Sequence, residues 1–253
     1  MTHFNDIIVC EPRTYRSPQD GDDFVSFRVL VETSDLFIRA LNNLSEQARN
    51  STVECRAQIE DAIRRRPEFL TSYKPMKSHE KDSPVVIRMI NASKKAGVGP
   101  MAAVAGAVAE FVGRNLLRLS DEVIVENGGD VFIHVKREIT VGVFTGASIF
   151  NGRIGIKVGP TSLPIGICTS SSKVGPSTSL GRAEAATVVS SDTSLADAVA
   201  TALGNRLMKG SDLKAAVSWA TSIDGVVGAL AIIEDKMAVS GDVELTPINQ
   251  NLL

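Results

Sequence analysis

Two adjacent glycines, Gly128 and Gly129, separate two strand-like segments and force a tight reversal of the chain between them. The segment before them, residues 123–126, is largely apolar, and a second apolar run begins at Val131. Glycine has no Cβ and adopts positive φ at little cost, so a Gly-Gly pair suits the turn of a β-hairpin. The pattern therefore predicts two neighbouring antiparallel strands joined at these glycines.

The polar residues beside the glycines, Asn127 and Asp130, allow two interpretations. An amide and a carboxylate next to a bare backbone form a plausible seat for the sugar or phosphate of a nucleotide. Asn, Gly and Asp are also the residues that dominate turns for purely local reasons, so they can equally be polar neighbours of a hairpin turn. Both interpretations stay open on this segment alone.

The composition is that of a globular protein with an ordinary balance of apolar and charged residues. The chain has 253 residues, of which 43% are hydrophobic and 22% are charged. This length fits one large domain or two intimately packed halves, and we treat residues 1–253 as a single domain. Aromatic residues make up only 5%, so we expect a core of small and β-branched side chains.

Charge and hydropathy exclude several classes of partner. A net charge of -2 gives no reason to expect a nucleic-acid surface, and the basic run at residues 64–66 suits a helix C-terminus. The longest apolar run, residues 101–109, is too short to span a bilayer. Neither nucleic acid nor a membrane is therefore an expected partner.

The cysteines and the first residues suggest the compartment. Cys10, Cys55 and Cys168 lack metal-type spacing, and an odd number of cysteines favours reduced thiols. The first residues have neither a basic segment nor an apolar segment of the kind found in secretory signals. We therefore expect a cytoplasmic protein.

Runs of strands and paired helices, without strict strand-helix-strand alternation, predict an α+β fold with a largely antiparallel sheet. Residues 67–84 are polar and punctuated by prolines, which predicts a long connection that passes over a site. Both halves show strands followed by two helices, which hints at pseudo-duplication. Helices are predicted at residues 44–66, 85–96, 101–119, 195–208 and 213–221, and strands at residues 24–38 (two), 122–126, 131–136, 139–145, 153–158, 164–169, 185–189, 228–233 and 237–240.

Asp197 and Thr201 are four residues apart in a predicted helix, so they lie on one face. A carboxylate above a hydroxyl is a pair of hard oxygen ligands that suits Mg²⁺. The local alternative is a capping box, in which Ser194 is the N-cap and Asp197 closes the box. Spacing alone does not separate a metal ligand from a helix cap.

A third polar segment follows a predicted strand and contains Thr169, Ser170 and Lys173 among further serines and a glycine. Hydroxyls and one ammonium group could hydrogen-bond phosphate oxygens. The segment lacks the glycine spacing of a P-loop, so a flexible serine-rich loop is an equally good interpretation.

Two of these segments together resemble the ApbE family of FAD-dependent flavin transferases. Residues 127–130, Asn-Gly-Gly-Asp, resemble the Asn-x-Gly-Gly-Asp motif with one residue fewer, and residues 196–202, Ala-Asp-Ala-Val-Ala-Thr-Ala, resemble its Ala-Asp-Ala-x-x-Thr-Ala helix. The resemblance covers residue 100 to the terminal hairpin. It implies a T-fold-like antiparallel sheet with paired helices.

The resemblance also implies a site and its ligands. Asp197 and Thr201 would hold Mg²⁺, while Asn127, Gly128, Gly129 and Asp130 would orient FAD or a related nucleotide. Thr169, Ser170 and Lys173 would border the phosphates. The implied function is a Mg²⁺-dependent flavin or adenine nucleotide-binding protein, with FMN transfer to an acceptor protein as its reaction.

Two departures from the family pattern keep a second hypothesis open. The lysine of the family's Gly-Gly-Ile-Ala-Lys-Gly stretch is absent from residues 102–107, and its His-x-x-Asp-Pro motif has no counterpart in residues 170–181. Residues 32–36 and 241–245 instead resemble a shorter branch of the superfamily. The chain is therefore either a nucleotide-dependent enzyme or a non-catalytic binding or assembly protein that keeps the fold.

A short match adds a further expectation. Residues 144–148, Phe-Thr-Gly-Ala-Ser, resemble the Thr-Gly-Ala acceptor sequence of these transferases, but Gly142 stands where the upstream acid is expected. The end of a strand followed by a turn explains the same residues.

Overall fold

The paired glycines lie in a β-hairpin at the centre of a large antiparallel sheet. The computed structural model describes residues 23–145, 148–172 and 181–248. These residues form a layer of helices, an eight-stranded antiparallel sheet and a smaller three-stranded sheet. The predicted α+β class and the largely antiparallel sheet are confirmed.

The strands follow the predicted order along the chain, with ends that differ by a few residues. They are β1 (Val25–Val31), β2 (Ser34–Ala40), β3 (Val123–Asn127), β4 (Asp130–His134), β5 (Ile139–Gly142), β6 (Ile154–Val158), β7 (Ile165–Ser170), β8 (Ala185–Ser190), β9 (Val226–Ile233), β10 (Lys236–Gly241) and β11 (Leu245–Pro247). Most are rich in β-branched residues, which pack well on a pleated surface.

The helices match the predicted segments, except for one short helix inside residues 67–84, where only a connection was expected. They are α1 (Ser45–Arg65), α2 (Glu68–Thr71), α3 (Pro84–Ala96), α4 (Val104–Leu116), α5 (Thr193–Asn205) and α6 (Leu213–Thr221), with 3-10 turns at Pro100–Ala103 and Gly210–Asp212. Pro84 begins α3, where a missing amide hydrogen costs nothing, and Gly97 ends it in the left-handed conformation with φ 75°.

The order of strands in the larger sheet is β1-β2-β3-β4-β7-β8-β9-β10, and all neighbours are antiparallel. β5 and β6 leave this sheet and pair with β11 to form the smaller one. Because β5 and β6 belong to the smaller sheet, β7 pairs directly with β4 in the larger one. As a result, the end of the β3–β4 hairpin lies next to the carboxyl end of β7.

The two faces of the large sheet bury different cores. Val125 and Phe132 face the helices in a core that also contains many alanines of α4 and α5. Ile124 and Ile133, one residue along on the same strands, face the three-stranded sheet. Period-two alternation therefore supplies both cores from the same strands.

Close packing of the helix layer depends on small residues. A Cβ on Gly113 of α4 would lie 2.2 Å from the ring of Phe132 in β4. The helix can therefore approach the sheet this closely only because residue 113 has no side chain. Within the described residues, no single helix has both the length and the apolar character needed to cross a membrane. One helix pair, Pro84–Ala96 with Pro100–Leu116, is bent by 104° between its two helices. Taken together, the pair has the length and apolar composition of a membrane span, and length and composition are all that support this.

Candidate functional site

The turn of the β3–β4 hairpin is built as the glycine pair predicts. Asn127 and Asp130 are paired across the turn, and Gly128 and Gly129 have φ values of 68° and 102°. The Gly129 N–H donates to Glu126 Oε1 at 2.9 Å. The hairpin interpretation is therefore confirmed.

The same hairpin end also lines a cavity of about 790 Å³. Most of the candidate site residues predicted from the sequence line this cavity: Asn127, Gly128, Asp130, Thr169, Ser170, Asp197 and Thr201. Gly129 is not among the lining residues, and Lys173 lies outside the described residues. Three separate sequence segments thus meet at one place.

Two buried carboxylates dominate the inner part of this cavity. Asp130 at the start of β4 and Asp197 in α5 are 7% and 9% exposed. Burial raises the pKa of Asp130 well above its usual range, and the nearby negative charge of Asp197 raises it further. Burial also raises the pKa of Asp197 to about 7. Both carboxylates are therefore costly to ionise unless a cation is bound nearby.

Asp197 is held by the first turn of another helix. Gly106 N donates to Asp197 Oδ2 at 2.8 Å, and the Ala105 backbone also hydrogen-bonds to the carboxylate, which lowers its pKa and partly offsets burial. These amides belong to α4, whose N-terminus favours a negative charge. A Cβ on Gly106 would lie 2.8 Å from Asp197 Cβ, so this glycine permits the contact.

The predicted capping box at the start of α5 is wrong. Asp192, not Ser194, is the N-cap, and its side chain accepts a hydrogen bond from Leu195 N at 2.9 Å. The helix begins earlier than the box assumed, so Asp197 lies beyond the capping position. Asp197 does cap a helix, but that helix is α4.

Hydroxyl and amide side chains extend the polar surface outward from the carboxylates. Thr201 and Asn205 follow Asp197 at four-residue intervals, so one polar stripe of α5 lines the cavity. Asn127 Nδ2 donates to Ala105 O at 3.0 Å, which ties the hairpin to the start of α4. Asn205 was not predicted, although its i+8 spacing from Asp197 is a signal that could have found it.

The β1–β2 turn and α1 form a wall of the cavity that the sequence did not predict. Thr33 and Ser34 of the β1–β2 turn line it together with Arg56 and Glu60 of α1. Arg56 Nη1 donates to Thr33 Oγ1 and Ser34 Oγ at 3.1 and 3.0 Å. The sequence signal nearest to this wall is the resemblance of residues 32–36 to a shorter branch of the superfamily, which did not assign a site there.

The cavity also has an apolar region. It is formed by residues of α1, the connection and the start of α4, namely Ile59, Ile63, Leu70, Val98, Met101, Ala102, Val104 and Val108. Leu70 and Tyr73 are 52% and 71% exposed, which is unusual for large side chains that line a cavity. The connection, residues 67–84, therefore contributes residues 70–73 to the cavity. A flat aromatic ring system would find apolar contacts here.

The donor set is compatible with Mg²⁺ but not with a metal held by protein alone. No group of three or more His, Cys, Asp or Glu side chains that could hold a metal occurs among the residues that the structure describes. Asp130, Asp197 and Thr201 offer two carboxylates and a hydroxyl. Mg²⁺ commonly takes one or two carboxylates and completes its shell with water and phosphate oxygens.

Comparison with solved structures identifies the fold. The flavinyl transferase ApbE of Pseudomonas stutzeri superposes with a TM-score of 0.51 over 86% of this chain and 93% of its own. The flavin transferase ApbE of Vibrio cholerae gives 0.53 over 88% and 97%. Sequence identity is 12% in both cases, so the likeness concerns the fold alone. The fold is that of the ApbE flavin transferases.

The family follows from the sequence. The family model described as AbpE bacteria matches residues 16–239, and the chain belongs to this family. The chain is 40% identical over 200 residues to a UPF0280 protein of Archaeoglobus fulgidus, which covers 77% of this chain and 82% of that protein. A UPF0280 protein of Methanothrix thermoacetophila is 39% identical over 219 residues, or 86% and 91%. The resemblance to a shorter ApbE-like branch is confirmed.

Proposed function

We propose that this protein binds a flavin or adenine nucleotide, with FAD as the first candidate, together with Mg²⁺. The observation that carries the proposal is the convergence of Asp130, Asp197 and Thr201 on the cavity that the Asn127–Gly128 turn also lines. Two buried carboxylates with raised pKa values favour a bound cation, because a cation removes their mutual repulsion.

Each candidate residue has a proposed role. Asp197 and Thr201 hold Mg²⁺, with Asp130 as a second carboxylate close to the ion. Asn127, Gly128 and Gly129 orient the nucleotide. Thr169, Ser170 and Lys173 border its phosphates. The apolar region between α1 and α4 takes the ring system.

The proposed reaction is transfer of FMN from FAD to an acceptor protein. The pyrophosphate P–O bond of FAD breaks, the FMN phosphorus bonds to an acceptor hydroxyl oxygen, and AMP leaves as that hydroxyl loses its proton. Mg²⁺ would neutralise the pyrophosphate and stabilise the leaving group.

Calorimetric titration of the protein with FAD, with and without Mg²⁺, tests the binding proposal. We expect binding that depends on Mg²⁺ and that weakens by at least about tenfold in Asp197→Asn, since one charged metal ligand is lost. Asp192→Asn is the matched control, because Asp192 begins the same helix but does not line the cavity. Mg²⁺-independent binding, or unchanged binding by Asp197→Asn, would contradict the proposal.

The alternative is a binding or assembly protein without transferase chemistry. No lysine or histidine lines the cavity among the described residues, and the family's lysine and histidine motifs are absent from the sequence. Incubation with FAD and Mg²⁺, followed by measurement of AMP, separates the two functions. Sustained AMP release would exclude the non-catalytic alternative, whereas tight binding without AMP release would favour it.

Residence in the cytoplasm is also part of the proposal. Cys55 and Cys168 are free and buried, as expected of reduced thiols. Burial raises the pKa of Cys55 to about 12, so this thiol is unreactive. Fractionation of cells that express the tagged protein would test the location.

A further inference from the structure

Arg56 is a residue of α1 that lines the cavity and that the proposed metal site does not use. Its side chain is 17% exposed, and it is the only basic side chain that the described residues contribute to the cavity lining. A largely desolvated guanidinium on a cavity wall is suited to bind an anionic group, because its planar set of donors matches the oxygens of a carboxylate or phosphate.

The guanidinium is already arranged as an oxyanion receptor. Nη1 donates to the hydroxyls of Thr33 and Ser34, and both hydroxyls also line the cavity. Each hydroxyl keeps its own hydrogen available as a donor, because in these bonds it accepts. The planar guanidinium and two hydroxyls together match the several oxygens of a phosphate or a carboxylate.

Two carboxylates pair with the second terminal nitrogen of Arg56, Nη2. Nη2 pairs with Glu60 Oε1 at 2.9 Å and forms a short ion pair with Glu32. Glu60 is four residues along the same helix, so its pairing is local, whereas Glu32 reaches Arg56 from the β1–β2 turn. Glu32 has φ 51°, in the left-handed region where glycine or asparagine is usual.

The Glu32 carboxylate is well placed to be exchanged. Its side chain is 70% exposed, so water can solvate the carboxylate when it leaves Arg56. Arg56 is only 17% exposed, so it needs an anionic partner, and another anion that binds there keeps the guanidinium paired. The Glu32 side chain can then turn into solvent.

We propose that Arg56, with Thr33 and Ser34, forms a binding site for an oxyanion group, a phosphate or a carboxylate, of a molecule bound in the cavity. Glu32 takes the place of that group in the ligand-free protein. The proposal deepens the proposed function and rests on it for the identity of the cavity as a ligand site. It adds that the bound molecules carry an anionic group away from the proposed Mg²⁺ site.

Titration with inorganic phosphate in the presence of EDTA tests the site without the metal. Backbone amide shifts at Thr33 and Ser34, followed by NMR, report binding at the site itself. We expect Arg56→Gln to weaken phosphate binding roughly tenfold or more, since a charge-assisted hydrogen-bond pair is lost. We expect Glu32→Gln to strengthen it by about twofold to fivefold, because a competing carboxylate is removed.

Arg49→Gln is the matched control, because Arg49 is an exposed arginine of the same helix that donates to Leu30 O and does not line the cavity. It should leave phosphate binding unchanged. Equal affinities for the wild type and Arg56→Gln, an equal loss in Arg49→Gln, or weaker binding by Glu32→Gln would each overturn the proposal. Denaturant midpoints of all variants check folding, and Arg56→Lys keeps the charge while removing the planar fork.

Two further titrations identify the source of the oxyanion. Competition between phosphate and FAD with Mg²⁺ would place the group on the nucleotide itself. Simultaneous binding of both would place it on a second, anionic substrate. Because the first titration contains no Mg²⁺, loss of the Arg56 effect and failure of Mg²⁺-dependent FAD binding are separate results.

Discussion

The Asp197 carboxylate has two roles, one in the packing of α4 against α5 and one in the cavity. It accepts hydrogen bonds from the first amides of α4, and it faces the cavity beside Asp130. The amides favour the ionised form, but burial disfavours it more strongly and raises the pKa to about 7. The group therefore couples helix packing, protonation and the proposed metal site.

The raised pKa of Asp197 predicts how stability depends on pH without metal. The folded protein binds this proton more tightly than the unfolded chain, in which an aspartate has its ordinary pKa of 3.8. The free energy of unfolding therefore falls as pH rises from 3.8 towards about 7. Asp130, with a pKa shifted the same way, adds to this trend. Urea denaturation in EDTA at several pH values measures it.

Asp197→Asn serves as the control for that experiment. The amide oxygen can still accept from Gly106 N, but the side chain no longer titrates, so the fall between these pH values should become shallower. Mg²⁺ should stabilise the wild type most at neutral pH, where both ionised carboxylates can hold it. A wild-type stability that rises over this range in EDTA would contradict the assigned environment.

Gly106→Ala tests the same contact from the backbone side. The new Cβ would lie 2.5 Å from Thr193 O and 2.8 Å from Asp197 Cβ, so α4 and α5 must separate. We expect a loss of stability of about 1–3 kcal/mol from overpacking, and weaker Mg²⁺ binding. Chemical denaturation and Mg²⁺ titration measure the two effects. Gly159→Ala, where a Cβ would meet nothing within 4 Å, should change neither.

Local spacing in the sequence predicted Asp197 and Thr201 as site residues but did not predict the groups that hydrogen-bond to Asp197. The four-residue interval between Asp197 and Thr201 suffices to place both on one helix face, and the structure turns that face to the cavity. The amide of Gly106 is 91 residues away, so no local pattern could assign it as the partner of Asp197. The predicted capping box was wrong because the helix begins after Asp192, and aspartate is as well suited to the N-cap position as serine.

At the scale of elements, α4 and α5 cap each other. Asp197 of α5 accepts from the first turn of α4, and Glu110 of α4 accepts from Thr193 N at 3.0 Å at the start of α5. Glu110 is in turn paired with Arg88 of α3 and Arg114 of α4. Reciprocal capping explains why an acid can remain buried in each helix: each meets unpaired amides and a favourable helix dipole.

The connection between α2 and α3 is held by one buried acid, Asp82. Its side chain is fully buried and pairs with Arg66 at 2.7 Å, and it accepts from His79 N at 2.7 Å. Asp82 thereby fixes residues 67–84, of which residues 70–73 line the cavity. Prolines and polar residues predicted a connection here, but the pairing that orders it spans 16 residues and was not predictable.

Asp82→Ala should therefore loosen the connection. Removal of the acid leaves Arg66, which is 16% exposed, without this partner, and we expect a loss of about 2–4 kcal/mol on denaturation. Hydrogen exchange of residues 70–82 should accelerate. Asp61→Ala is the control, because the pairs of Asp61 with Arg64 and Arg65 involve an acid that is 49% exposed and should cost under about 1 kcal/mol. Similar losses for both variants would argue against the anchoring role.

At the scale of the whole molecule, the sequence predicted the elements but not their arrangement. Alternation and glycine turns suffice for the strands and the α+β class. The placement of β7 beside β4, and the departure of β5 and β6 to a second sheet, depend on pairing between distant segments. The resemblance to the transferases covered the chain from residue 100, and the resemblance of residues 32–36 to a shorter branch did not assign the β1–β2 turn or α1 to a site.

That arrangement leads to a prediction about ligand binding across the molecule. The cavity is lined by residues from Thr33 to Asn205, so a ligand that fills it must contact both the N-terminal and the C-terminal segments. We expect FAD with Mg²⁺ to slow amide hydrogen exchange in residues 70–73 and 98–105 as well as in residues 127–130. Segments of low local stability are the ones that a ligand orders most, so the exposed residues 70–73 should change the most.

Hydrogen exchange with mass spectrometry, with and without ligand, measures this protection. Asp197→Asn should remove it from all three segments at once, because a single metal-dependent ligand produces it. Protection confined to residues 127–130 would mean that the nucleotide does not reach the N-terminal wall. The apolar region between α1 and α4, together with Arg56, would then bind a second molecule, and the two halves of the cavity would serve two different substrates.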